Sequence, residues 1–294
     1  MTRITAGNLP YRGETTVMGA LTVVPVFDGF ALEEPTQFYV TDSTKPPQKG
    51  DRTEDWAPHA DLLRTDGLLE HVYGGFLIVT GEHTVLVDAG VGPERIGPFG
   101  PFNRVIEGGE LPAQLAAIGV DRADITDIVF SHLHPDHYGW AVAEDGHFFP
   151  NATFRCNALD WDHFVTRPGT ELGGISRRLL ALGDRLKVWD HDGPLLPGID
   201  VRHAPGHTPG STVVVLSSGT HRALLLGDVV HCAVELVDEE WGSLGDVDPV
   251  LARRTKELLA RELEGADLPA AASHFPGMRF GRLLFAQGRR NWVV

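Results

Sequence analysis

The sequence predicts an α+β protein, which two sheets packed together with helices outside would fit. Three observations predict it. Apolar runs of strand length recur from Leu21 to Ala272. Stretches of helical pattern fall between them, at 111–118, 157–187 and from Pro249 onward, so strands and helices mix along the chain. No internal repeat and no linker divides the 294 residues, which therefore read as one domain, 1–294.

The composition bounds the function. A hydrophobic fraction of 42% and a charged fraction of 22% are those of an ordinary globular protein with a sizeable core. Lys and Arg number 25 against 40 Asp and Glu, a net charge of −15. So acidic a surface repels phosphate backbones, which disfavours a nucleic-acid partner. The two cysteines, Cys156 and Cys232, form neither a disulfide framework nor a CxxC pair, and read as small buried hydrophobes. The N-terminus has no apolar signal core, and no run approaches the ~18 apolar residues of a membrane span. A cytoplasmic protein without membrane contact is expected.

The elements follow in order. Residues 1–20 are polar and read as an arm or a loose first hairpin; Leu21 to Phe27 reads as the first strand. Residues 31–70 are rich in Pro, Asp, Glu, Lys and Thr with little periodicity. So long an irregular stretch is usually functional, and it is read as a substrate-side or dimer-side segment. Gly74–Thr80 and His83–Asp88 read as strands joined by a tight turn at Gly81-Glu82. Leu111–Ile118 reads as a short helix stopped at Gly119, and Ile128–Phe130 as a strand. Phe148 to Phe154 reads as another strand entry, and 157–187 as helical, with Trp161, Phe164, Leu179, Leu180 and Leu182 toward the core. Thr212–Ser217 and Arg222–Leu226 have the apolar runs of buried strands. Asp248-Pro249 opens a helix, Asp as N-cap and Pro at the first helical position, with Leu251, Leu258, Leu259 and Leu263 as its apolar face. Leu268 to His274 reads as the last strand, followed by a closing strand or hairpin over 279–294.

The chemistry concentrates in Ser131-His132-Leu133-His134-Pro135-Asp136-His137-Tyr138-Gly139-Trp140, where three imidazoles and a carboxylate fall within six residues. The strand before it ends in a loop, and a loop can aim His132, His134, Asp136 and His137 into one pocket. Imidazole nitrogen with carboxylate oxygen suits zinc and similar divalent metals. Downstream, His203 and His207 stand in a Pro/Gly-rich loop after a strand, Asp228 ends a strand, and His274 precedes Phe275-Pro276-Gly277. A buried carboxylate such as Asp228 is costly unless something pairs with it, and a metal would.

His-x-His-x-Asp-His resembles the signature of the metallo-β-lactamase superfamily, and the resemblance runs from about Val23 to His274. It implies a four-layer αβ/βα sandwich with the metal site at one edge of the two sheets. His207 is preferred to His203 because the family motif Gly-His-Thr-Pro-Gly matches there. By this resemblance His132, His134 and His207 hold one metal, and Asp136, His137 and His274 a second. Asp228 bridges the two, and Asp88 supports the site from behind. His231 is not required by the pattern, and Tyr138 has no matching role. A glutamate stands at the His134 position in the flavodiiron branch, which disfavours redox chemistry. Zinc is the first expectation for two such divalent ions, with manganese, iron or cobalt as alternatives.

Two ions that each keep an open position make a catalytic site rather than a structural one. They would lower the pKa of a shared water from about 15.7 to about 7, giving a hydroxide at neutral pH. Asp136 or Asp228 would take up or deliver a proton. The expected enzyme is thus a dinuclear hydrolase of a lactone or small carboxylic ester. The text around Asp228 and His274 resembles the branch of quorum-quenching lactonases and methyl parathion hydrolase. The lactonases carry a tyrosine between the third histidine and the bridging aspartate, and here the interval from His207 to Asp228 has none. Phosphotriester, β-lactam and thioester hydrolysis are the alternatives. The charge of −15 argues against a nuclease, and an intact set of seven ligands against a non-catalytic binding protein. A homodimer is expected from family habit. Trp140, Trp161 and Trp241 read as core residues that could also line a pocket.

Overall fold

The computed structural model describes residues 13–39, 49–99, 104–143, 146–167 and 176–294. Residues 1–12 of the expected arm and 40–48 of the irregular segment lie outside the described residues. The strands are β1 (Thr16–Met18), β2 (Leu21–Glu33), β3 (Leu69–Val79), β4 (Thr84–Val87), β5 (Ile96–Phe99), β6 (Arg104–Ile106), β7 (Asp127–Val129), β8 (Val142–Ala143) and β9 (Gly146–His147). They continue with β10 (Thr153–Asn157), β11 (Leu186–Trp189), β12 (Gly193–Leu196), β13 (Ile199–His203), β14 (Thr212–Ser218), β15 (His221–Leu225), β16 (Ala270–Ala271), β17 (Arg282–Ala286) and β18 (Arg289–Val293). The α-helices are α1 (Pro35–Phe38), α2 (Leu111–Ala117), α3 (Pro135–Tyr138), α4 (Ala158–Asp160), α5 (Val234–Val237) and α6 (Pro249–Ala266).

One sheet has the order β1-β2-β3-β4-β7-β10-β11, the other β12-β13-β14-β15-β16. Strand alternation builds the layers. Successive side chains point to opposite faces, so Val23, Ile78, Val85 and Val129 enter the core between the sheets, where they meet Val201, Val214, Leu216 and Leu225. Their neighbours Val24, Leu77, Leu86 and Ile128 point the other way, onto Leu111 and Leu115 of α2 and onto Leu179 and Leu182. On the second sheet Val213, Val215 and Leu224 face outward onto Leu259, Ala260 and Leu263 of α6. Helix, sheet, sheet and helix are the four layers. Each fully buried Leu or Val contributes about 1.5–3 kcal/mol.

Several elements differ from the sequence reading. Thr16–Met18 pair with β2 as a first hairpin, one of the two expectations for residues 1–20. β2 and β3 run on to Glu33 and from Leu69, because their registers stay paired as far as Glu33↔Leu69; between them lie α1 and 3₁₀ turns over Thr53–Leu62. The strand expected from Phe148 begins at Thr153; of the helical region expected over 157–187, residues 168–175 lie outside the described residues, and the described parts are short α, π and 3₁₀ pieces before β11. Within it Leu180 is exposed, and Trp161 only half-buried. In α6 the Asp248 side chain caps by accepting from the Leu251 N–H at 3.0 Å, with Pro249 at the first position. Its buried face is Ala252, Lys256, Leu259, Ala260 and Leu263; Leu258, one position from Leu259, turns to solvent. The strand expected over 268–274 is only Ala270–Ala271, parallel to β15. The β17–β18 hairpin closes the chain. Among the described residues, no helix is long and apolar enough to cross a membrane. Cys156 and Cys232 are buried free thiols.

For the site, direction matters most. β4, β7 and β10 run parallel in the first sheet, and β15 and β16 in the second. β13, two antiparallel steps from β15, shares its direction. Ser131, just past β7, accepts from the N–H of Thr212, which opens β14, at 2.9 Å. The carboxyl ends of strands from both sheets therefore meet at one edge.

Candidate metal centre

At this edge β4 ends in Asp88, in left-handed backbone with φ of 63°. Its carboxylate accepts from both the N–H and the hydroxyl of Ser131, each at 2.8 Å, which fixes the chain as it leaves β7. Ser131 Oγ lies 3.1 Å from His132 Nδ1, and Asp88 Oδ2 3.0 Å from His137 Nδ1. Pro135 starts the single turn α3, which swings Asp136 and His137 to the same side as His132. The Leu133 N–H donates to Asp160 at 2.9 Å. Asp160, at the end of α4, also accepts from Thr208 Oγ1 at 3.0 Å and from the Gly210 N–H. One buried carboxylate thus stitches the loop carrying His132 and His134 to the loop carrying His207.

The second sheet supplies the rest. Gly206 has a φ of 136°, and a Cβ there would collide with the backbone of Ala252 in α6. Gly227 has a φ of 52°, and a Cβ there would stand 2.7 Å from the Ser131 Cβ. Only glycine lets the turn carrying Asp228 approach the first sheet so closely. His274, just past β16, places its Nδ1 2.7 Å from the carbonyl oxygen of Val72, which accepts its proton and leaves Nε2 free.

The structure brings all seven expected residues together. Donor atoms of His132, His134, His207 and Asp228 lie within 4.8 Å of one another, as do those of Asp136, His137, Asp228 and His274. Asp228 Oδ2 is common to both groups, 2.9 Å from His274 Nε2, 3.2 Å from His137 Nε2, and 3.7 Å from the Nε2 of His132 and of His207. His134 Nδ1 and His207 Nε2 stand 3.0 Å apart. Asp136 Oδ2 is 3.5 Å from His137 Nε2 and 3.6 Å from His274 Nε2. His132 Nε2, His137 Nε2 and Asp228 Oδ1 are buried without a hydrogen-bond partner. Each such atom is costly, and a cation among them would accept their lone pairs. The donor set, nitrogen-rich with two carboxylates, fits divalent metal.

The electrostatics leave lone pairs on one group and protons on the other, which an ion would have to displace. Burial, reinforced by neighbouring imidazoles, pushes His132 well below the ordinary histidine value and His134 down to about 3, so both are neutral and present lone pairs. Burial would also lower His137 and His274, but Asp228 and the carboxylates beside it outweigh burial and raise them. Burial would raise Asp136 and Asp228, and the charge of His137 outweighs it, so both stay ionised.

Residues the motif did not reveal complete the surroundings. His231 is buried, its Nε2 3.5 Å from Asp228 Oδ2. Asp246 lies 3.2 Å from His207 Nδ1. Asp160 and Asp246 carry no local sequence signal, since Asp160 meets Leu133 across 27 positions and Asp246 meets His207 across 39; Glu235 and Lys256 pair across 21. His203 is exposed, its Nε2 2.7 Å from the Pro209 carbonyl. Tyr138 is buried beside Ser176, its hydroxyl pushed up to about 12 by burial. Trp140 donates to Asp28, and Trp241 packs against Tyr39 and Trp56, so both serve the interior.

The profile of the metallo-beta-lactamase superfamily matches residues 75–270. In sequence the chain is similar to the N-acyl homoserine lactonase AiiA of Bacillus thuringiensis subsp. kurstaki, 26% identical over 201 residues, 64% of this chain and 76% of that one. In structure it is similar to AidC, a dizinc quorum-quenching lactonase in complex with a product, with a TM-score of 0.79, 24% identity, and 96% and 97% of the two chains covered. It is also similar to the hydrolase AbOPH, with a TM-score of 0.78, 20% identity, and 97% and 98% covered.

Proposed function

The chain is a hydrolase belonging to the metallo-β-lactamase superfamily, and on that premise we propose that it opens a lactone, or cleaves a small carboxylic ester, at a centre of two divalent ions, zinc in the first instance. His132, His134 and His207 would hold one ion, Asp136, His137 and His274 the other, with Asp228 shared. One observation carries this reading: a single carboxylate oxygen, Asp228 Oδ2, stands within 3.7 Å of imidazole nitrogens from both groups. When bound, such ions acidify water and polarise an ester carbonyl. The relatives named as lactonases support the substrate class.

The chain's own residues supply the rest of the chemistry. Of the seven, His134 and Asp136 are half-buried and the others buried, so an ester arriving from solvent meets this pair first. Asp136 or Asp228 would accept the proton of the attacking water and return it to the alkoxide that leaves when the ring opens. Asp228 holds the two groups in register. Phe164 packs against His134 with ring centroids 5.4 Å apart, and Phe38 against His231 at 5.2 Å, so apolar rings border the group of imidazoles. The absence of tyrosine between His207 and Asp228 favours a second reading, hydrolysis of aryl esters or phosphotriesters at the same centre.

Proton release on a panel of lactones, with zinc- or manganese-loaded protein and a metal-stripped control, tests the first reading. Metal-dependent opening of one ring class supports it. Silence across the panel with two ions bound would sink it and leave the second.

A further inference from the structure

His207 sits in a cradle made by residues 245–248. A Cβ on Gly245 would lie 3.2 Å from His207 Cε1, so this turn runs against the imidazole itself. Asp246 Oδ1 faces His207 Nδ1 at 3.2 Å. The Val247 N–H donates to the His207 carbonyl at 3.0 Å, and that of Asp248 to the Gly206 carbonyl at 2.9 Å. The cradle is locked from behind by α6. Lys256, 3% exposed, donates to the other Asp246 oxygen at 3.2 Å and to Glu235 Oε1 at 2.6 Å. Glu235 Oε2 in turn accepts from the N–H groups of His231, at 2.6 Å, and Cys232, at 3.2 Å. These belong to the turn that follows Asp228. A lysine is almost never buried unless paired, and this one ammonium serves two carboxylates that reach two different ligand-bearing loops.

We propose that Lys256 is a positioning residue: by holding Asp246 against His207 Nδ1 it fixes which nitrogen of His207 faces His134 and Asp228, and so sets how tightly their group binds a divalent ion. The inference rests on the reading of that group as ion-binding. With a proton on Nδ1 donated to Asp246, Nε2 keeps its lone pair for the centre. Without Lys256, Asp246 and Glu235 are two buried carboxylates with no counter-charge, which repel each other. The Asp246 carboxylate then loses the partner that holds its second oxygen, and only its contact with His207 is left to orient it.

A merely structural lysine would lower stability and leave ion affinity alone. The test is therefore a competition titration of zinc against a chromogenic chelator, on full-length metal-stripped wild type, Lys256→Met, Asp246→Ala and the double variant. Wild type should take up two ions. Each single variant should lose about 10–100-fold in affinity for one of them, and the double variant no more than the weaker single, because Lys256 acts through Asp246. Lys256→Gln, which keeps a donor, replaces the methionine variant if that does not fold. The ¹⁵N shifts of the His207 ring in the same variants should show Nδ1 losing its proton preference. Two ions bound at wild-type affinity in Lys256→Met, or losses that multiply in the double variant, overturn the proposal alone. A wild type that takes up no ion overturns the site reading as well.

Discussion

Asp160 is fully buried and accepts three hydrogen bonds, from Leu133 N, Thr208 Oγ1 and Gly210 N. Asp160→Ala would strand the buried N–H groups of Leu133 and Gly210, while the Thr208 hydroxyl keeps Ser211 Oγ at 2.7 Å. Bonds to a charged acceptor contribute about 1.5–3 kcal/mol each. Against that stands the cost of burying the carboxylate, visible in the rise of its pKa, which burial drives. The expected net loss is about 3–5 kcal/mol. Spread over the unfolding entropy of so long a chain, this lowers Tm by about 5–8 °C. It also unties the loop of His132 and His134 from that of His207. The assay is calorimetry on metal-stripped and zinc-loaded protein side by side. The loss of Tm should be greater in the loaded state, because ion binding adds stability only where the two loops are in register. A variant that melts with wild type in both states would refute the argument that this carboxylate holds the loops together.

Other outcomes follow from the same geometry. His132→Ala should abolish turnover and take up fewer zinc ions per chain, with little change in circular dichroism. Gly227→Ala places a methyl against Ser131 in left-handed backbone, at a cost of about 2–5 kcal/mol, and should also weaken zinc uptake in titration. Burial would raise Glu235, but the Lys256 ammonium outweighs it and holds the carboxyl at about 2, below its ordinary 4.5. Its contribution, about 3 kcal/mol, is therefore present above pH 4.5 and lost as pH falls toward 2. Glu235→Gln should flatten that part of the acid-denaturation curve measured by fluorescence.

Four of the candidate ligands were legible because they are local: His132, His134, Asp136 and His137 share six residues. His207, Asp228 and His274 were reached through the resemblance, and the structure brings them beside the four. The sandwich too came from the resemblance, because apolar runs do not say which face a residue takes; that Val23-Val24, Leu77-Ile78 and Val85-Leu86 are neighbours sent to opposite cores shows only in the structure. What supports the candidate ligands was not legible. Asp160 meets Leu133 across 27 positions and Thr208 across 48, and in sequence it looks like any surface acid. Lys256 falls in the helical pattern of α6 where a solvated charge would be expected. Leu258 was assigned inward because four leucines fit one face loosely, and burial instead follows Ala252, Lys256, Leu259 and Leu263. The two-residue β16 is too short to leave a pattern of its own.

The meeting of two sheets at one edge has a mechanical consequence. His132, His134, Asp136 and His137 come from the first sheet, while His207, Asp228 and His274 come from the second. Any ion shared through Asp228 would be a cross-link between halves of the chain far apart in sequence. Pulled from its two ends, the loaded protein should resist separation of the sheets at a force that drops when a chelator is added. The seam where the chemistry is placed would then also be the clasp of the fold.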